Sequence, residues 1–579
     1  MIKKDKVIRK GVLKTHIRVV EGYRDSSGKI KQRTIKTFGY LEDQSDPDKF
    51  LKEVERFNID FFKKKDLEKN EFNKPFTESN NNTIYNYGYK YIEGIYNSLN
   101  IDTFFDDIKT NCKFSLKNIF KFLVIERIMN PDSKRATLQK INTLFNSSFS
   151  FELYDVYRSL DYFCDYEIQL QKYLNDQIKQ LVGRNTEYAY YDVTNYYTSL
   201  DFSNPDDIRQ KFVSKEHQLT PIVQLGLFMD DKGLPLSMSV FKGNTADSKT
   251  LQPIMKEIKK EYNLDRLIVV ADKGINSNDN LNYICNNNDG YVVSQILRGK
   301  KGKRYQDRLF QENLYTHISD KFKYQLFEED YDGINENGNK VSRKRNVLIY
   351  WKYEDAVNAA RKRDEKLNKA IKSLGNNAYA IKHSYEEYIK EVHTITETGQ
   401  LCDKVERFID STKAAEDAKY DGYFCLITSE LDYDYNKIME VYSGLWRIEE
   451  SFKITKSDLS ARPIFLNTEK HIRGHFLICY CALLILRLLQ YKLEYKLSVE
   501  RIVKALNSSN CLIEERDEIR ILKNSDYQDY KKDTTILSSE TESLNDFLFI
   551  LDKLNLEIPR YRYKLNKFKE YLNTIKYQW

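Results

Sequence analysis

The chain has 579 residues, with 93 basic and 86 acidic side chains, 41% hydrophobic residues, and only 21 Gly and 9 Pro. That length supports several domains with full cores, and the composition excludes collagen, Gly/Pro-rich linkers and wholesale disorder. The net charge of +7 is unevenly placed: residues 1–40 hold twelve Lys or Arg against Asp5, Glu21 and Asp25, so the other 539 residues sum to −2. Such a block is either a basic nucleic-acid-binding module or a solubilising N-terminus.

Eight Cys without a CxxC pair exclude a zinc ribbon and a disulfide framework and point to a reducing compartment. MIKKDKVIRKGVLK has charges without a following apolar run, so no signal peptide is expected. Phe476–Leu486 is too short an apolar run to span a bilayer and reads as a buried helix.

In chain order, VLKTHIRVVEGY (12–23) and IKQRTIKTF (30–38) predict a basic hairpin around Ser-Ser-Gly, within a β-rich region 1–80. From 81 to 183 apolar residues recur at helical spacing, broken at Asn130-Pro131-Asp132-Ser133, where Asp132 or Ser133 would cap the next helix. At Tyr188 the period changes. YAYYDVT, the hairpin IVQLGLFMD/LPLSMSVFKG, LIVVAD and GYVVSQIL read as strands of a mixed α/β sheet over 184–300, with helices between them. A polar stretch, 301–415, interrupts this pattern. DGYFCLITS then resumes it (416–495), followed by one long helix from Lys437 to about Lys456. The segment 496–579 reads as helical.

Three carboxylates stand out by position. Asp192 sits inside an apolar, aromatic strand, where a carboxylate is costly unless paired or bound to a cation. Asp272 ends LIVVAD at the C-terminal mouth of a strand, where open α/β sheets hold ligands. Glu449 lies on the following helix. An all-oxygen set with open positions suits two Mg²⁺ ions, which activate water and stabilise a leaving oxygen in phosphodiester cleavage. Each also has an ordinary role: Asp192 paired to a buried Lys, Asp272 capping a turn, Glu449 on a solvated face. On a continuous helix Tyr442, Leu445, Glu449 and Lys456 share one stripe, with Lys453 near it and Glu450 turned to solvent. His471 and His475 share a helix face without HExxH order and read as structural. Asp247 could cap the helix from Thr250 or lie near the metals.

YDVTNYY, FKGNTADSKTL, VVADKGINS, DGYFCLITS and YSGLWRIEESFKITKSDLSARPIF, in this order, resemble DDE-class insertion-sequence transposases of the Tyr-x2-Arg-x3-Glu-x6-Lys branch (insertion-sequence family four and close relatives). The resemblance covers 185–300 and 415–490 well, and KTFGYLED more loosely. It implies an RNase H-like α/β core split by an insertion domain at 301–415, N-terminal β-hairpin and helical DNA-binding regions, and a helical C-terminal region. It also implies a cytoplasmic, nucleoid-associated protein that binds double-stranded DNA, both terminal inverted repeats and target, as a homodimer on paired ends.

By position Asp192, Asp272 and Glu449 match the family's catalytic, metal-holding acids, with Mg²⁺ as cofactor and Mn²⁺ as a substitute. Tyr442 and Lys456 match the signature as DNA contacts. Leu445 stands where the signature has Arg, so either Arg447 substitutes from a neighbouring face or that DNA contact is absent. Trp446 follows the position where some relatives stack a displaced base; its ordinary role would be packing the helix on the sheet. Lys453, and Arg298, Lys300 and Lys301 in RGKKGKR, are further DNA-binding candidates, with Lys273 and Arg462 behind them. The expected activity is cleavage of the element's ends and joining of 3′-OH ends to target DNA. The alternatives are an inactive DNA-binding repressor of transposition, or an RNase H-like nuclease without strand joining.

Overall fold

The computed structural model describes residues 2–9, 12–24, 30–58, 84–199, 207–213, 219–262, 266–374, 387–395, 401–514, 517–522, 539–577 and 579. Two units separate, Met1–Thr83 and Ile84–Trp579. In the first, β1 (Ile2–Arg9), β2 (Val12–Arg24) and β3 (Ile30–Tyr40) form an antiparallel sheet in that order, followed by helix α1 over 47–58. Ile17 and Val19 of β2 pack on Val54 of α1 to make its small core. The expected hairpin is β2–β3. The additional strand β1, IKKDKVIR, is too charged to signal itself, and pairing with β2 along its whole length supplies what apolar alternation does not.

The second unit opens with β4 (Ile84–Asn86) and six helices: α2 (Tyr89–Ser98), α3 (Ile101–Asp106), α4 (Leu116–Met129), α5 (Lys134–Gln139), α6 (Leu153–Asp165) and α7 (Glu167–Val182). Ser133, not Asp132, caps α5, its hydroxyl accepting from Ala136 N at 3.2 Å. Next come β5 (Tyr188–Tyr197), β6 (Gln210–Val213), β7 (Leu219–Met229), β8 (Pro235–Lys242), α8 (Leu251–Tyr262), β9 (Ile268–Ala271), α9 (Asn278–Asn286) and β10 (Gly290–Ser294). Then follow α10 (Gly299–Leu309), β11 (Thr316–Ser319), β12 (Phe322–Ile334), β13 (Lys340–Lys352), α11 (Tyr353–Ser373), β14 (Ile389–Ile395), β15 (Leu401–Ile409), α12 (Ser411–Ala418) and β16 (Tyr423–Thr428).

One mixed sheet of ten strands dominates, in the order β11-β12-β13-β16-β10-β9-β5-β7-β6, with β8 also paired to β7. β5 runs parallel to β9 and β9 to β10, while β7 and β8 are antiparallel additions. Strands β11–β13, from the stretch that reads as a polar interruption, extend this sheet through β16. Among the described residues of this stretch, β14 and β15 pair apart from it. β12 hides its character because its charges are paired across the ladder, as with Glu329 and Arg345.

The chain closes with α13 (Tyr435–Ser443), α14 (Trp446–Lys453), α15 (Glu469–Lys492), α16 (Val499–Asn507), β17 (Asn510–Glu514), β18 (Glu518–Ile521), α17 (Ser539–Lys553), β19 (Arg562–Lys564) and α18 (Leu565–Asn573). The expectation of a helical C-terminal region is corrected here. Strands β17–β19 join β4 in a four-stranded sheet, and runs of three to five residues are too short to oppose the helical periodicity around them.

Helix α15 is long and apolar enough to cross a membrane by composition, yet 94% of its most apolar stretch is buried. It packs against α2, α4, α6 and α7 and against β8. Toward its C-terminal end Arg487 is fully buried. Its guanidinium donates to Glu450 at 2.7 Å, Gln490 at 2.9 Å, the Arg447 carbonyl at 3.0 Å and the Gly233 carbonyl at 3.2 Å. One side chain thereby ties α15 to α14 and to the β7–β8 turn, where Gly233 has φ +76°.

Candidate active site

Side chains alternate across a strand, so Tyr190, Asp192, Thr194 and Tyr196 of β5 project to one face. That face carries the core shared with α13–α15, since Tyr190 and Tyr196 pack there with Val441, Ile448 and Phe452, whereas Tyr191 and Val193 pack on the other side. On β9, Val270 belongs to the same layer as Tyr190, and Asp272 follows it by two residues. Tyr191 pairs in parallel register with Ala271, so the next residues on the two strands are Asp192 and Asp272. The sheet thus sets two carboxylates side by side on one face, at the end of β9.

Asp272 is held from two directions. Ser294 Oγ, from the neighbouring strand β10, donates to its Oδ1 at 2.6 Å, and Tyr442 Oη, from α13, reaches the same oxygen at 3.4 Å. Burial pushes the Tyr442 phenol well up, with Asp272 adding to the shift, so the hydroxyl stays protonated and donates. Ser294 was not among the sequence-predicted residues; it occupies the last position of GYVVS, level with the carboxylate. Asp247 brings a third acid nearby. Its carbonyl accepts from Thr250 N at 3.1 Å and Oγ1 at 2.6 Å, while its carboxylate faces Gly274, where a Cβ would lie 3.5 Å from Oδ2. Replacing Ser294 by Ala is expected to lower any Asp272-dependent activity about tenfold with little change in melting temperature, because one bond to a carboxylate is worth about 1.5–3 kcal/mol.

The helix bearing Glu449 departs from the single stripe read in the sequence. Between α13 and α14 the hydrogen bonds shorten to i→i+3, from Leu445 N to Tyr442 O at 3.1 Å and from Arg447 N to Gly444 O at 3.1 Å. Beyond α14 they lengthen into a π-turn over Ile454–Asp458, with Leu459 N bonded to Ile454 O at 2.8 Å. These two changes of pitch separate the four side chains. Tyr442 is half-buried against Asp272, Leu445 is buried in the core, and Glu449 is exposed. Lys456 lies 5.8 Å over the Tyr196 ring. The solvent-facing role expected of Glu450 is also corrected: Glu450 carries the ion pair to Arg487 and Glu449 faces outward.

Packing dictates the break. Gly444 lies so close to β5 that a Cβ there would sit 2.2 Å from Tyr190 Oη. Gly444→Ala is therefore expected to cost about 1–3 kcal/mol and to lift α13–α14 off the sheet, read as a lower melting temperature.

Asp192 and Asp272 fit a hard cation by oxygen chemistry and register. Among the described residues no group of three or more His, Cys, Asp or Glu is drawn together tightly enough to hold a metal, so Glu449 stands outside a closed three-acid cluster. The remaining candidates are dispersed. Trp446 is 49% exposed, with the Arg447 guanidinium 5.6 Å above its ring, so it does not pack the helix onto the sheet. Arg447 also leans on the Gly233 turn, its Cδ lying 2.9 Å from where a Gly233 Cβ would be. Lys453 and Lys300 are exposed, and the Lys301 side chain lies outside the described residues. Arg298 is engaged by Asp417 at 2.7 Å and lies 4.9 Å over Tyr420. His471 is 3.5 Å from Asp161, and buried His475 is held neutral, its pKa depressed by desolvation and by Lys134 and Arg127.

The mixed sheet thus carries two acids at adjacent strand ends and is faced by a helix bearing Glu449, and family comparison places the chain among known domains. Residues 204–485 match the transposase DDE domain, a span that includes Asp272 and Glu449 and begins twelve residues after Asp192. Residues 2–64 match the N-terminal domain of IS1634 family transposases. The chain thus matches, in order, an insertion-sequence transposase N-terminal domain and a transposase DDE domain. The N-terminal match names a different family from insertion-sequence family four, in keeping with a buried Leu445 where that branch's signature has Arg. No curated protein matches the chain.

Proposed function

We propose that this transposase binds the terminal inverted repeats of its element, cleaves the ends by divalent-metal-dependent phosphodiester hydrolysis, and joins the 3′-OH ends to target DNA. The observation that carries this reading is the in-register placement of Asp192 and Asp272 on adjacent parallel strands, supported by Ser294 and Tyr442. When bound, Mg²⁺ or Mn²⁺ there would supply an activated water and neutralise charge on the leaving oxygen. Asp192 and Asp272 hold the cation, and Tyr442 and Ser294 orient Asp272. Glu449 contributes from α14, and Lys456 meets a phosphate beside Tyr196.

In this reading β5, β7–β10 and β16 with α13–α15 form an RNase H-like core over 184–300 and 416–495, interrupted by 301–415. The basic N-terminal block and the helices to 183 recognise the ends, and two copies act on paired ends. Exposed Trp446, Lys453 and Lys300 are available to DNA. A cytoplasmic, nucleoid-associated location follows from the substrate.

Buried Leu445 and the open position of Glu449 favour one second reading, a DNA-binding relative that represses transposition without cutting. Incubating the protein with an end-containing duplex and Mg²⁺ or Mn²⁺ separates the two. The transposase nicks at the element boundary, whereas binding without metal-dependent nicking supports the repressor. Cleavage of unrelated duplexes as readily as ends would support a simple nuclease.

A further inference from the structure

Away from the acidic pair, a cavity of about 290 Å³ opens between the α4–α5 junction, α15 and the segment after the π-turn. Its lining includes Arg127, Lys134, Arg462 and His475. Arg127 and Lys134 are 5% and 6% exposed, and among the described residues neither has a carboxylate within ion-pair distance. Buried cations are ordinarily paired.

Among the described residues Lys134 Nζ meets only the neutral His475 Nδ1, at 3.4 Å, and burial together with the Arg127 charge lowers its amine to about 7. Arg127 spends its terminal nitrogens on main-chain carbonyls, on Asp132 O at 2.9 Å and Leu459 O at 3.2 Å, and feels the Asp132 carboxylate only through space, without an ion pair. The one acid in the lining, Asp132, is turned to Lys140 at 3.3 Å and to Ser133 N at 2.7 Å. Two buried cations, Arg127 and Lys134, thus face this cavity with a single acid in its described lining, Asp132, which also serves Lys140.

The fold connects this cavity to the strand that carries Asp192. Ile464 N bonds to Tyr197 O at 3.0 Å, Ser199 N to Ile464 O at 3.1 Å, and Arg462 lies 5.5 Å over the Tyr197 ring. Tyr197 is five residues beyond Asp192, about 17 Å along the strand or about five base-pair rises of a duplex. Lys456, over Tyr196, lies between them along β5.

We propose that this cavity is an anion site that takes a backbone phosphate of the DNA strand engaged at the acidic pair, with Lys134 and Arg462 as its contacts and Arg127 as the fixed charge behind them. The phosphate would give Lys134 the anionic partner it lacks among the described residues and would set the register of the strand on the sheet. The identity of the ligand as DNA rests on the transposase reading; the existence of an anion site does not.

The test uses the full-length protein, a duplex carrying the inverted repeat that flanks its gene, and Lys134→Met. Removing a buried, unpaired Lys for an isosteric apolar side chain is expected to leave the melting temperature unchanged or raised. Affinity for the duplex should fall about tenfold, and the slope of log affinity against log salt should lessen by about 0.9, the signature of one lost phosphate contact. Should Lys134→Met fail to fold, Arg462→Gln carries the same expectation. Wild-type affinity and slope in a folded variant would overturn the proposal. So would protection of the wild type by micromolar inorganic phosphate with DNA affinity unaltered in the variant, which would make this a free-phosphate site. A wild type that never nicks DNA, but whose affinity still falls in Lys134→Met, would sink the transposase reading while supporting the pocket.

Discussion

Replacing Asp192 by Asn is expected to abolish metal-dependent cleavage of end-containing DNA, by at least about a thousandfold, while leaving end binding and folding intact. The magnitude follows from the several kcal/mol by which a bound divalent cation stabilises developing charge at phosphorus, each 1.36 kcal/mol being worth tenfold in rate. Asn keeps the shape of the side chain in β5 and removes the negative charge that an all-oxygen cation site requires. Binding should survive because the basic N-terminal unit, the other expected DNA-binding element, lies in a separate unit of the chain. A gel assay for nicking beside an anisotropy measurement of binding reads both halves. Persistent cleavage would remove Asp192 from the site, and loss of binding would make its role structural.

The second large effect is expected at a residue that touches no substrate. Arg487 is fully buried and satisfies four acceptors, of which Glu450, the Arg447 carbonyl and the Gly233 carbonyl belong to elements that frame Glu449. Arg487→Ala leaves those acceptors without a donor and opens a cavity in α15. Breaking a buried pair costs about 3–5 kcal/mol, and Glu450, about a third exposed, places the loss near the lower end. Chemical denaturation measures it. The accompanying Glu450→Gln change should be much milder, since Gln still accepts, and a double-mutant cycle between the two should show coupling. A loss under 1 kcal/mol for Arg487→Ala would show that α14 is held by its apolar face, Ile448 and Phe452, alone.

How much was legible beforehand depended on whether local pattern or tertiary packing decided each feature. The strands bearing Asp192 and Asp272 announce themselves because YAYYDVT and LIVVAD are apolar runs with one acid each, and burial makes such an acid conspicuous. Their mutual register comes from β5–β9 pairing, which no local pattern encodes. The helix carrying Glu449 has helical spacing throughout, and the sequence gives no sign that Gly444 must seat under Tyr190 or that a π-turn follows. These changes of pitch leave Glu449 exposed and turn Glu450 onto Arg487. Ser294 was invisible because a strand-terminal Ser becomes informative only once a neighbouring strand brings a carboxylate to it. Lys134 is hidden for a similar reason. A Lys in the first turn of a short helix reads as solvated, and only the packing of α15 across it shuts the water out.

The charge that first suggested DNA is also clearer in structure. Part of the N-terminal surplus is internally compensated, with Arg18 paired to Asp5 at 2.7 Å and Lys14 to Asp43, while Lys4 and Lys6 face solvent. In the larger unit, net charge conceals a division between an acidic pair at one end of β9 and the buried cations Arg127 and Lys134 in the cavity beside the end of β5.

The central claim, that Asp192 and Asp272 hold the cation that cleaves DNA, is tested most directly by exchanging an oxygen ligand for sulfur. Asp272→Cys, assayed on an end-containing duplex, is expected to be inactive with Mg²⁺ and partly restored by Mn²⁺, which accepts a thiolate more readily than Mg²⁺ does. Cleavage with Mg²⁺ at the wild-type rate by Asp272→Cys would contradict the assignment.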